Sequence, residues 1–344
     1  MWKVTNKTNY AILDDFRVSL IEPLFTEIIN YKSLALNCGF RKYIDYLPIK
    51  CPGSKDVLSY INKRKKNKVL FSDLVDNIIK KNTLSKIKKY YQIYKSQNNK
   101  ISKKDYNIKE EAIDDEFKEL FIDFFYEKFF DYPKIWTLID PVKYKTIQLS
   151  RKMFVENFKK ENDIEVCPYC DMDTTYNLTN NEIEHFMPKS IFPFLSMNAN
   201  NLIPSCQSCN KKVDGKGTNM YNPIYSPLNL QMGDNIKFDN NFIMKRILIS
   251  ADNINIMNYI KLLQLDKRYS STRIYNLVEI KAEAIFDTIY DLDEMSKTGL
   301  SELDIINYIE KKCTRYAKKE PLSFALKNIY KKYDLYLDYK RTIC

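Results

Sequence analysis

The sequence predicts an α+β fold that is mainly α, with a small cysteine-rich module between helical N- and C-terminal segments. Apolar residues recur at helical spacing along most of the chain. The 344 residues include only six glycines, which disfavours a turn-rich all-β fold. Two Cys-x-x-Cys pairs, Cys167/Cys170 and Cys206/Cys209, mark the module. We therefore predict a helical region over residues 1–160, the module over 161–225, and a small hairpin followed by helices over 226–344.

The clearest helical pattern of the N-terminal region is an aromatic stripe. Its members lie at positions i, i+3, i+4, i+7 and i+8 of one segment: Phe117, Leu120, Phe121, Phe124 and Phe125. Such a stripe is far more often core than a base-stacking surface, so we interpret it as core. The polar stretch 95–109 is predicted to be a linker or an exposed loop. Pro48 with Cys51-Pro52-Gly53 predicts a turn.

The C-terminal region combines a predicted hairpin with further helices. Two short apolar runs, 236–238 and 242–244, flank Asp239-Asn240-Asn241 as the strands of a hairpin flank its turn. A helical pattern follows over 256–265. Ser301 and Asp304 have the spacing of a capping box, which predicts the start of another helix.

The net charge of +11 and the pI near 9.0 allow two interpretations. One is a polyanionic partner, most often nucleic acid. The other is genomic bias, because Lys, Asn, Ile and Tyr are all abundant, as AT-rich codons make them. No run of eighteen uncharged apolar residues predicts a membrane span, and residues 1–7 lack the apolar run of a signal peptide. We therefore expect a cytoplasmic protein that has no membrane partner.

Four cysteines in two pairs predict a structural zinc site. Each Cys-x-x-Cys places two thiolates on one tight turn, and two such turns complete a tetrahedral four-sulfur site with no open position. The cytoplasm keeps thiols reduced, which favours a metal over disulfides. Two disulfides or buried free thiols are the alternatives. The remaining cysteines show no such pairing: Cys38, Cys51, Cys313 and Cys344.

The spacer between the cysteine pairs carries Glu184-His185, and His185 is the only histidine of the chain. Ile183 and Phe186 flank this dipeptide as in a short strand, in which successive side chains face opposite sides. The second cysteine pair, followed by Asn210, predicts the start of a helix. A structural histidine or an additional zinc ligand is the alternative for His185, although four cysteines already complete a zinc site.

Together these residues resemble the HNH endonucleases, members of the ββα-metal nuclease superfamily, in the variant with four zinc-binding cysteines. The matching pieces are Cys167/Cys170, Glu184-His185, Asn201-Leu202 and Cys206/Cys209-Asn210. Their combination is specific, whereas any single piece is not. The resemblance implies that the module is a zinc-stapled ββα-metal (HNH) nuclease module.

The resemblance also implies a role for each matching residue. His185 matches the general base that activates the attacking water, and Asn201 matches the asparagine that braces the histidine loop. Glu184 and Asn210 match the ligands of a catalytic divalent ion, Mg²⁺ or Mn²⁺. The family more often has Asp before the histidine, and often His at the last position. Asn at that position keeps an oxygen donor, which suits a hard ion.

The function implied by the resemblance is metal-dependent hydrolysis of phosphodiester bonds in DNA. A bound divalent ion neutralises phosphate charge and stabilises the leaving oxygen, and a neutral imidazole accepts a proton near pH 7. Lys189, Lys211 and Lys212 are placed to contact phosphates. A solvated helix face is the alternative for Lys211 and Lys212.

Two other functions stay open. A non-catalytic zinc-dependent DNA-binding protein needs the cysteines and the basic residues, but it does not need Glu184, His185 and Asn210 together. An RNA-cleaving toxin or effector uses the same residues, because the site contacts phosphate and not sugar. The joint presence of the three residues favours an enzyme.

A weaker resemblance extends beyond the module. It rests on Pro188-Lys189-Ser190, Asn222-Pro223, and the stretch from Leu262 to Asp266 with Arg273. These patterns are similar to HNH effectors of bacterial anti-phage systems of the Septu kind and of some retrons. In such systems an ATPase partner restrains or activates the nuclease. The resemblance thus implies a defence effector with nucleic acid and an ATPase protein as partners; the oligomeric state stays open.

Overall fold

A computed structural model gives the structure of the protein for six stretches of the chain. They are residues 1–38, 42–43, 55–145, 149–175, 181–211 and 215–343. The turn predicted at Pro48 and Cys51-Pro52-Gly53 lies outside the described residues, as does Lys212.

The described residues form two compact units, each built from separate stretches of the chain. The histidine unit, as we call it, comprises Thr5–Glu161 and Ile183–Ile203. The cysteine unit comprises Met1–Val4, Asn162–Glu182 and Pro204–Cys344. The three consecutive regions suggested by the sequence stay a prediction.

The histidine unit is mainly helical, in agreement with the predicted fold class. Its α-helices are α1 (Lys7–Phe16), α2 (Glu22–Cys38), α3 (Lys55–Asn62), α4 (Phe71–Lys81), α5 (Leu84–Ser102), α6 (Asp115–Lys118), α7 (Pro133–Ile139) and α8 (Arg151–Asn162). Two π-helical segments occur: Arg17–Ile21 joins α1 to α2, and Glu119–Phe129 extends α6. A two-residue hairpin, β1 (Lys65–Lys66) and β2 (Val69–Leu70), precedes α4.

The predicted aromatic stripe lies in the core of the histidine unit. Its five members are at most 1% exposed: Phe117, Leu120, Phe121, Phe124 and Phe125. The ring of Phe121 packs edge-on against Phe194, with 4.8 Å between the ring centroids. Fully burying such a ring contributes about 1.5–3 kcal/mol, so the stripe fixes the π-helical segment against its neighbours. The interpretation of the stripe as core is confirmed.

The first half of the polar stretch 95–109 is not a loop, because α5 continues to Ser102. Its buried face uses amides as well as apolar side chains. Asn98 Nδ2 donates to the carbonyl oxygens of Tyr94 and Phe194, at 2.9 and 3.1 Å. A buried amide with such partners is stable inside a protein, but it makes the helix appear polar in sequence. The prediction of a linker or exposed loop is wrong for these residues.

A two-stranded sheet and a short helix form the ββα part of the chain. β3 (Asn181–His185) pairs with β4 (Leu202–Cys206), and the single-turn helix α9 (Gln207–Asn210) follows β4 directly. The strand predicted around Glu184-His185 and the helix predicted at the second cysteine pair are both confirmed. The predicted fold class, mainly α with a small ββα module, is confirmed as well.

The cysteine unit also contains a hairpin and a run of helices. These elements are β5 (Lys237–Asn241), β6 (Arg246–Ser250), α10 (Ile254–Leu262), α11 (Leu265–Tyr269), α12 (Thr272–Met295), α13 (Glu302–Arg315), α14 (Ser323–Tyr330) and α15 (Tyr333–Ile343). Ser301 and Asp304 form the predicted capping box at the start of α13. In the described stretches, none of the helices combines the length and the apolar character that crossing a bilayer requires.

The predicted hairpin exists, but its turn begins three residues later than predicted, at residue 242 instead of 239. β5 and β6 are antiparallel, and Phe238 is paired with Ile249. The turn falls at 242–245, where Lys245 adopts a left-handed conformation with φ of 48°. Ile243, predicted to lie in a strand, is 97% exposed in this turn.

Candidate functional site

Four cysteine thiols of the cysteine unit converge on one point. The Sγ atoms of Cys167, Cys170, Cys206 and Cys209 all lie within 4.8 Å of one another, and all four residues are buried. The Sγ–Sγ distance is 3.8 Å for Cys167 and Cys209, and again 3.8 Å for Cys170 and Cys206. Zn–S bonds of about 2.3 Å in a tetrahedron place the sulfur atoms about 3.8 Å apart, whereas a disulfide needs about 2.05 Å. The donor set therefore fits a closed structural zinc site and does not fit two disulfides.

The electrostatics of the cluster also fit a shared cation. Burial, together with the neighbouring thiols, raises the pKa of Cys209 well above its ordinary value. Four thiols at these distances resist ionising together, because each thiolate repels the next. A divalent cation removes that repulsion, since it holds thiolates as its ligands.

Backbone N–H groups orient the first cysteine pair. The N–H of Asp171 donates to the carbonyl oxygen of Cys167 at 3.0 Å and closes the turn. The N–H of Met172 donates to Cys170 Sγ at 3.4 Å, and the N–H of Cys206 donates to Cys167 Sγ at 3.3 Å. Such donors stabilise negative charge on sulfur and fix the direction in which the ligand points.

A buried carboxylate anchors this turn inside the cysteine unit. Asp171 Oδ1 accepts a hydrogen bond from Trp2 Nε1 at 2.7 Å, and Oδ2 accepts one from the N–H of Phe324 at 3.1 Å. Burial raises the pKa of Asp171 to about 7. The two donors offset part of the cost of burying this group, so the turn carrying Cys167 and Cys170 is tied to the start of α14.

Gly215 allows the chain to fold back closely on the second cysteine pair. The N–H of Lys216 donates to the carbonyl oxygen of Cys209 at 2.9 Å. A Cβ atom on Gly215 would lie 2.4 Å from the carbonyl oxygens of both Cys209 and Ser208. These are backbone atoms next to a predicted zinc ligand, so no side-chain rotation relieves the clash.

We expect Gly215→Ala to weaken zinc retention and to destabilise the protein by about 1–3 kcal/mol, the usual cost of forcing extra atoms into a packed site. The matched control is Gln207→Ala, because Gln207 is exposed in the same segment and alanine favours its helix. Zinc content after gel filtration and the urea unfolding midpoint measure the two effects. Wild-type values for Gly215→Ala would contradict the close approach.

His185 ends β3 in the histidine unit and is buried. Its Nε2 lies 3.1 Å from the carbonyl oxygen of Ser196. Since a carbonyl oxygen only accepts, Nε2 carries the proton, and in the neutral imidazole the lone pair belongs to Nδ1. The ring also packs edge-on against Tyr126, with 4.4 Å between the ring centroids. These contacts fix both the tautomer and the orientation of the ring.

Asn201 fastens the loop that follows His185. Its Oδ1 accepts a hydrogen bond from the N–H of Met187 at 2.7 Å. Its Nδ2 donates to the carbonyl oxygens of Met187 and Leu195, at 3.1 and 3.2 Å. The side chain is fully buried. One amide thus holds both ends of a nine-residue loop, 187–195, close to the strand that carries His185.

A network of charged residues surrounds Tyr126, the neighbour of His185. Arg151 Nη2 donates to the carbonyl oxygen of Tyr126 at 2.7 Å, and its guanidinium lies 4.8 Å from the centroid of the ring. Glu127 forms ion pairs with Arg151 and with Lys189, and Lys189 Nζ lies 4.6 Å from the same ring centroid. Burial raises the pKa of Tyr126 to about 12, so Tyr126 is a neutral packing partner of His185.

The remaining predicted site residues lie in both units. Glu184 precedes His185 on β3 and is buried, as His185 is. Asn210 ends α9 in the cysteine unit, and the exposed Lys211 follows it. The roles of Glu184, Asn210 and Lys211 depend on the sequence resemblance.

The structure adds residues that the sequence did not single out. Tyr126 belongs to the same apolar segment as the aromatic stripe, where its ring resembles any other core residue in sequence. Arg151 begins α8 and carries no motif. Arg268 donates to Cys209 Sγ within the cysteine unit. The sequence could have identified Arg268, because it lies between Asp266 and Arg273, two residues of the weaker sequence resemblance.

Comparison with known proteins supports the resemblance at two levels. Residues 167–215 match the family model described as HNH endonuclease. The Septu protein PtuB of Bacillus thuringiensis is 33% identical over 103 residues, which cover 29% of this chain. The match spans 38% of that relative's length. No solved structure matches the chain significantly.

The matched segment contains the residues that carry the candidate site. The four thiols, Glu184-His185, Asn201 and Asn210 all fall within 167–215. The segment begins at the first thiol and ends at Gly215, whose close approach completes the second cysteine turn. The chain therefore carries an HNH endonuclease domain at residues 167–215.

Proposed function

We propose that this chain is a metal-dependent endonuclease that hydrolyses phosphodiester bonds of DNA, with His185 as the general base. The observation that carries the proposal is the fixed imidazole of the HNH domain. Its Nε2 is held by the carbonyl of Ser196, which assigns the lone pair to Nδ1. A neutral imidazole in that tautomer has a lone pair on Nδ1 that can accept a proton from water near pH 7.

In the proposed reaction, His185 Nδ1 takes a proton from a water molecule as the water oxygen attacks the phosphorus atom. The new P–O bond forms while the bond to the leaving nucleoside oxygen breaks. Asn201 acts as a positioning residue, because its three hydrogen bonds hold the loop behind His185. Tyr126 positions the imidazole ring by packing against it.

Glu184 and Asn210 are the proposed ligands of a divalent ion, Mg²⁺ or Mn²⁺. Both offer oxygen donors, which hard cations prefer. When bound, such an ion neutralises phosphate charge and stabilises the leaving oxygen. The four cysteines are proposed to hold a separate structural zinc ion, whose closed coordination leaves no position for substrate.

Lys189, Lys211 and Lys212 are proposed to contact backbone phosphates of the substrate. Lys189 is paired with Glu127 in the structure, so contact with a phosphate requires that it exchange the carboxylate for the phosphate. Lys211 is exposed. Contacts of this kind position nucleic acid without reading its sequence.

The biological role we propose is that of a cytoplasmic effector in anti-phage defence. The partial similarity to a Septu protein supports it, together with the weaker resemblance around Leu262–Asp266 and Arg273. The proposed partner is an ATPase that restrains or activates the nuclease. This role goes beyond the nuclease activity that the HNH domain implies.

The nuclease proposal predicts metal-dependent cleavage. We expect the purified protein to cut DNA after treatment with a chelator only when Mg²⁺ or Mn²⁺ is added back. The chelator concentration is chosen to leave the more tightly held zinc in place, which metal analysis verifies. The substrates are single-stranded and duplex DNA and RNA, followed on denaturing gels.

The pattern of cleavage separates the alternatives. Cutting of RNA alone would replace DNA by RNA as the substrate. Cutting in the continued presence of chelator would contradict Glu184 and Asn210 as ligands of a catalytic ion. Binding of DNA without cleavage under any metal condition would favour a zinc-dependent DNA-binding protein.

A further inference from the structure

Arg268 makes the closest side-chain contact of a cation with the four-thiol cluster among the contacts of the described residues. It lies on α11, and its Nη1 is 3.1 Å from Cys209 Sγ. Its Nη2 is 3.4 Å from Asp173 Oδ2, and the side chain is only 13% exposed. Because a guanidinium only donates, the sulfur of Cys209 is the acceptor in this hydrogen bond.

The charge of a four-thiolate zinc site explains why a cation belongs there. One Zn²⁺ ion and four thiolates carry a net charge of about −2, and a buried charge is costly unless it is paired and hydrogen-bonded. The guanidinium offsets part of that charge. Asp173 is more exposed than Arg268, with 43% of its side chain accessible, so it orients the guanidinium more than it neutralises it.

A second contact from the same segment reaches Gly215, which lies against the second cysteine turn. Gln264, the residue before α11, adopts a left-handed conformation with φ of 50° and ψ of 37°. Its Nε2 donates to the carbonyl oxygen of Gly215 at 3.2 Å. Gly215 in turn lies against the carbonyl oxygen of Cys209. The segment 264–268 therefore holds the second cysteine turn at two points, by a charged contact and by a backbone contact.

We infer that Arg268 is a positioning residue of the zinc site, which retains the metal by donating to the thiolate of Cys209. The inference rests on the zinc assignment within the proposed function, and it does not depend on cleavage. It also gives a physical reason for the pattern around Leu262–Asp266, since this pattern delivers Arg268 to the cluster. Arg273, which belongs to the same pattern, is exposed on α12 and makes no such contact among the described residues.

Substitution of Arg268 tests the inference through zinc retention in the full chain. Arg268→Met keeps the length and removes the charge, Arg268→Lys keeps the charge, and Arg273→Met is the matched control. The rate of zinc transfer to a chromogenic chelator is measured, with circular dichroism as the check of folding. Loss of an outer-shell partner typically weakens metal affinity roughly 10- to 100-fold, so we expect Arg268→Met to lose zinc faster by that factor.

The two Arg268 variants separate charge from packing. We expect Arg268→Lys to lie between wild type and Arg268→Met, because lysine keeps the charge but lacks the planar fork of donors. Equal zinc loss from the Lys and Met variants would overturn the inference, as would wild-type retention in a folded Arg268→Met variant. If Arg268→Met does not fold, wild type is compared with folded Arg268→Lys. Slower zinc loss in wild type supports the inference, and equal rates overturn it.

Wild-type protein purified without zinc would overturn the zinc assignment itself, and an inactive but zinc-loaded protein would leave the inference intact.

Discussion

Replacing His185 is expected to abolish most of the cleavage activity. General-base catalysis contributes roughly 100- to 10,000-fold to a rate. His185 is the only histidine of the chain, so no other imidazole can replace it as the base. Alanine also removes the hydrogen bond to the carbonyl of Ser196 and leaves a gap beside Tyr126. A buried carbonyl without its donor costs about 1–3 kcal/mol, so His185→Ala changes stability as well as activity.

His185→Gln separates these two effects. Its amide can donate to the carbonyl of Ser196 in place of Nε2, but it has no basic nitrogen near neutral pH. We expect this variant to melt within a few degrees of wild type and to cut DNA at least 100-fold more slowly, in line with the contribution of a general base. Single-turnover cleavage of a labelled duplex with Mg²⁺ measures the rate.

Tyr126→Phe is the matched control for the His185 substitutions. It keeps the ring that packs on His185 and removes only the hydroxyl, which donates to the carbonyl oxygen of Ile183 at 3.3 Å. We expect its cleavage rate to stay within a few-fold of wild type, because it retains the base. Wild-type cleavage by His185→Gln would assign the base to another residue.

The thiol cluster was predictable from sequence because its signal is local. Two thiols three residues apart can share one ion when the chain makes a tight turn between them, and a second such pair completes a tetrahedron. The same holds for β3, where Ile183 and Phe186 flank Glu184-His185, and for α9, which begins within the second cysteine pair. The aromatic stripe was predictable because its helical periodicity is strong and large apolar side chains on one face of a helix are usually buried in the core.

The environment of His185 was not predictable in the same way. Tyr126 lies 59 positions before His185 in the chain, and nothing in the pattern of an apolar segment distinguishes a ring that packs on His185 from one that packs only in the core. The prediction of a loop over residues 95–102, which form the end of α5, was wrong for a related reason. Asn98 is buried because Tyr94 and Phe194 present carbonyl oxygens to it, and one of these partners is distant in sequence.

The hairpin turn shows how a local pattern misleads. Phe242, Ile243 and Met244 form an apolar run of the kind found in strands, and the preceding Asp-Asn-Asn is of the kind found in turns. In the structure β5 extends through Asn241 and the apolar run forms the exposed turn. The pairing of Phe238 with Ile249 buries the side chain of Phe238, so burial of one strand residue decides the register against the composition of the turn.

Cys209→Ser is expected to remove zinc and to unfold the cysteine unit. Zinc binding contributes about 10–16 kcal/mol in small zinc domains near pH 7, whereas a folded protein is stable by only about 5–15 kcal/mol in total. The substitution also removes the thiolate partner of the largely buried guanidinium of Arg268 and leaves it only the more exposed carboxylate of Asp173, which adds to the cost of the lost metal. Both effects act on the turn that precedes Asn210, a proposed ligand of the catalytic ion.

The matched control for this prediction is Cys313→Ser, because Cys313 is buried on α13 but lies outside the four-thiol cluster. We expect one zinc ion per chain in wild type and in Cys313→Ser, and none in Cys209→Ser, by metal analysis of the purified proteins. Circular dichroism and limited proteolysis then report whether the cysteine unit is folded. A folded Cys209→Ser protein without zinc would show that the thiols are not a structural staple, and the position of Asn210 would then need another explanation. If the four thiols hold a structural zinc ion, Cys209→Ser loses both zinc and protease resistance, and Cys313→Ser loses neither.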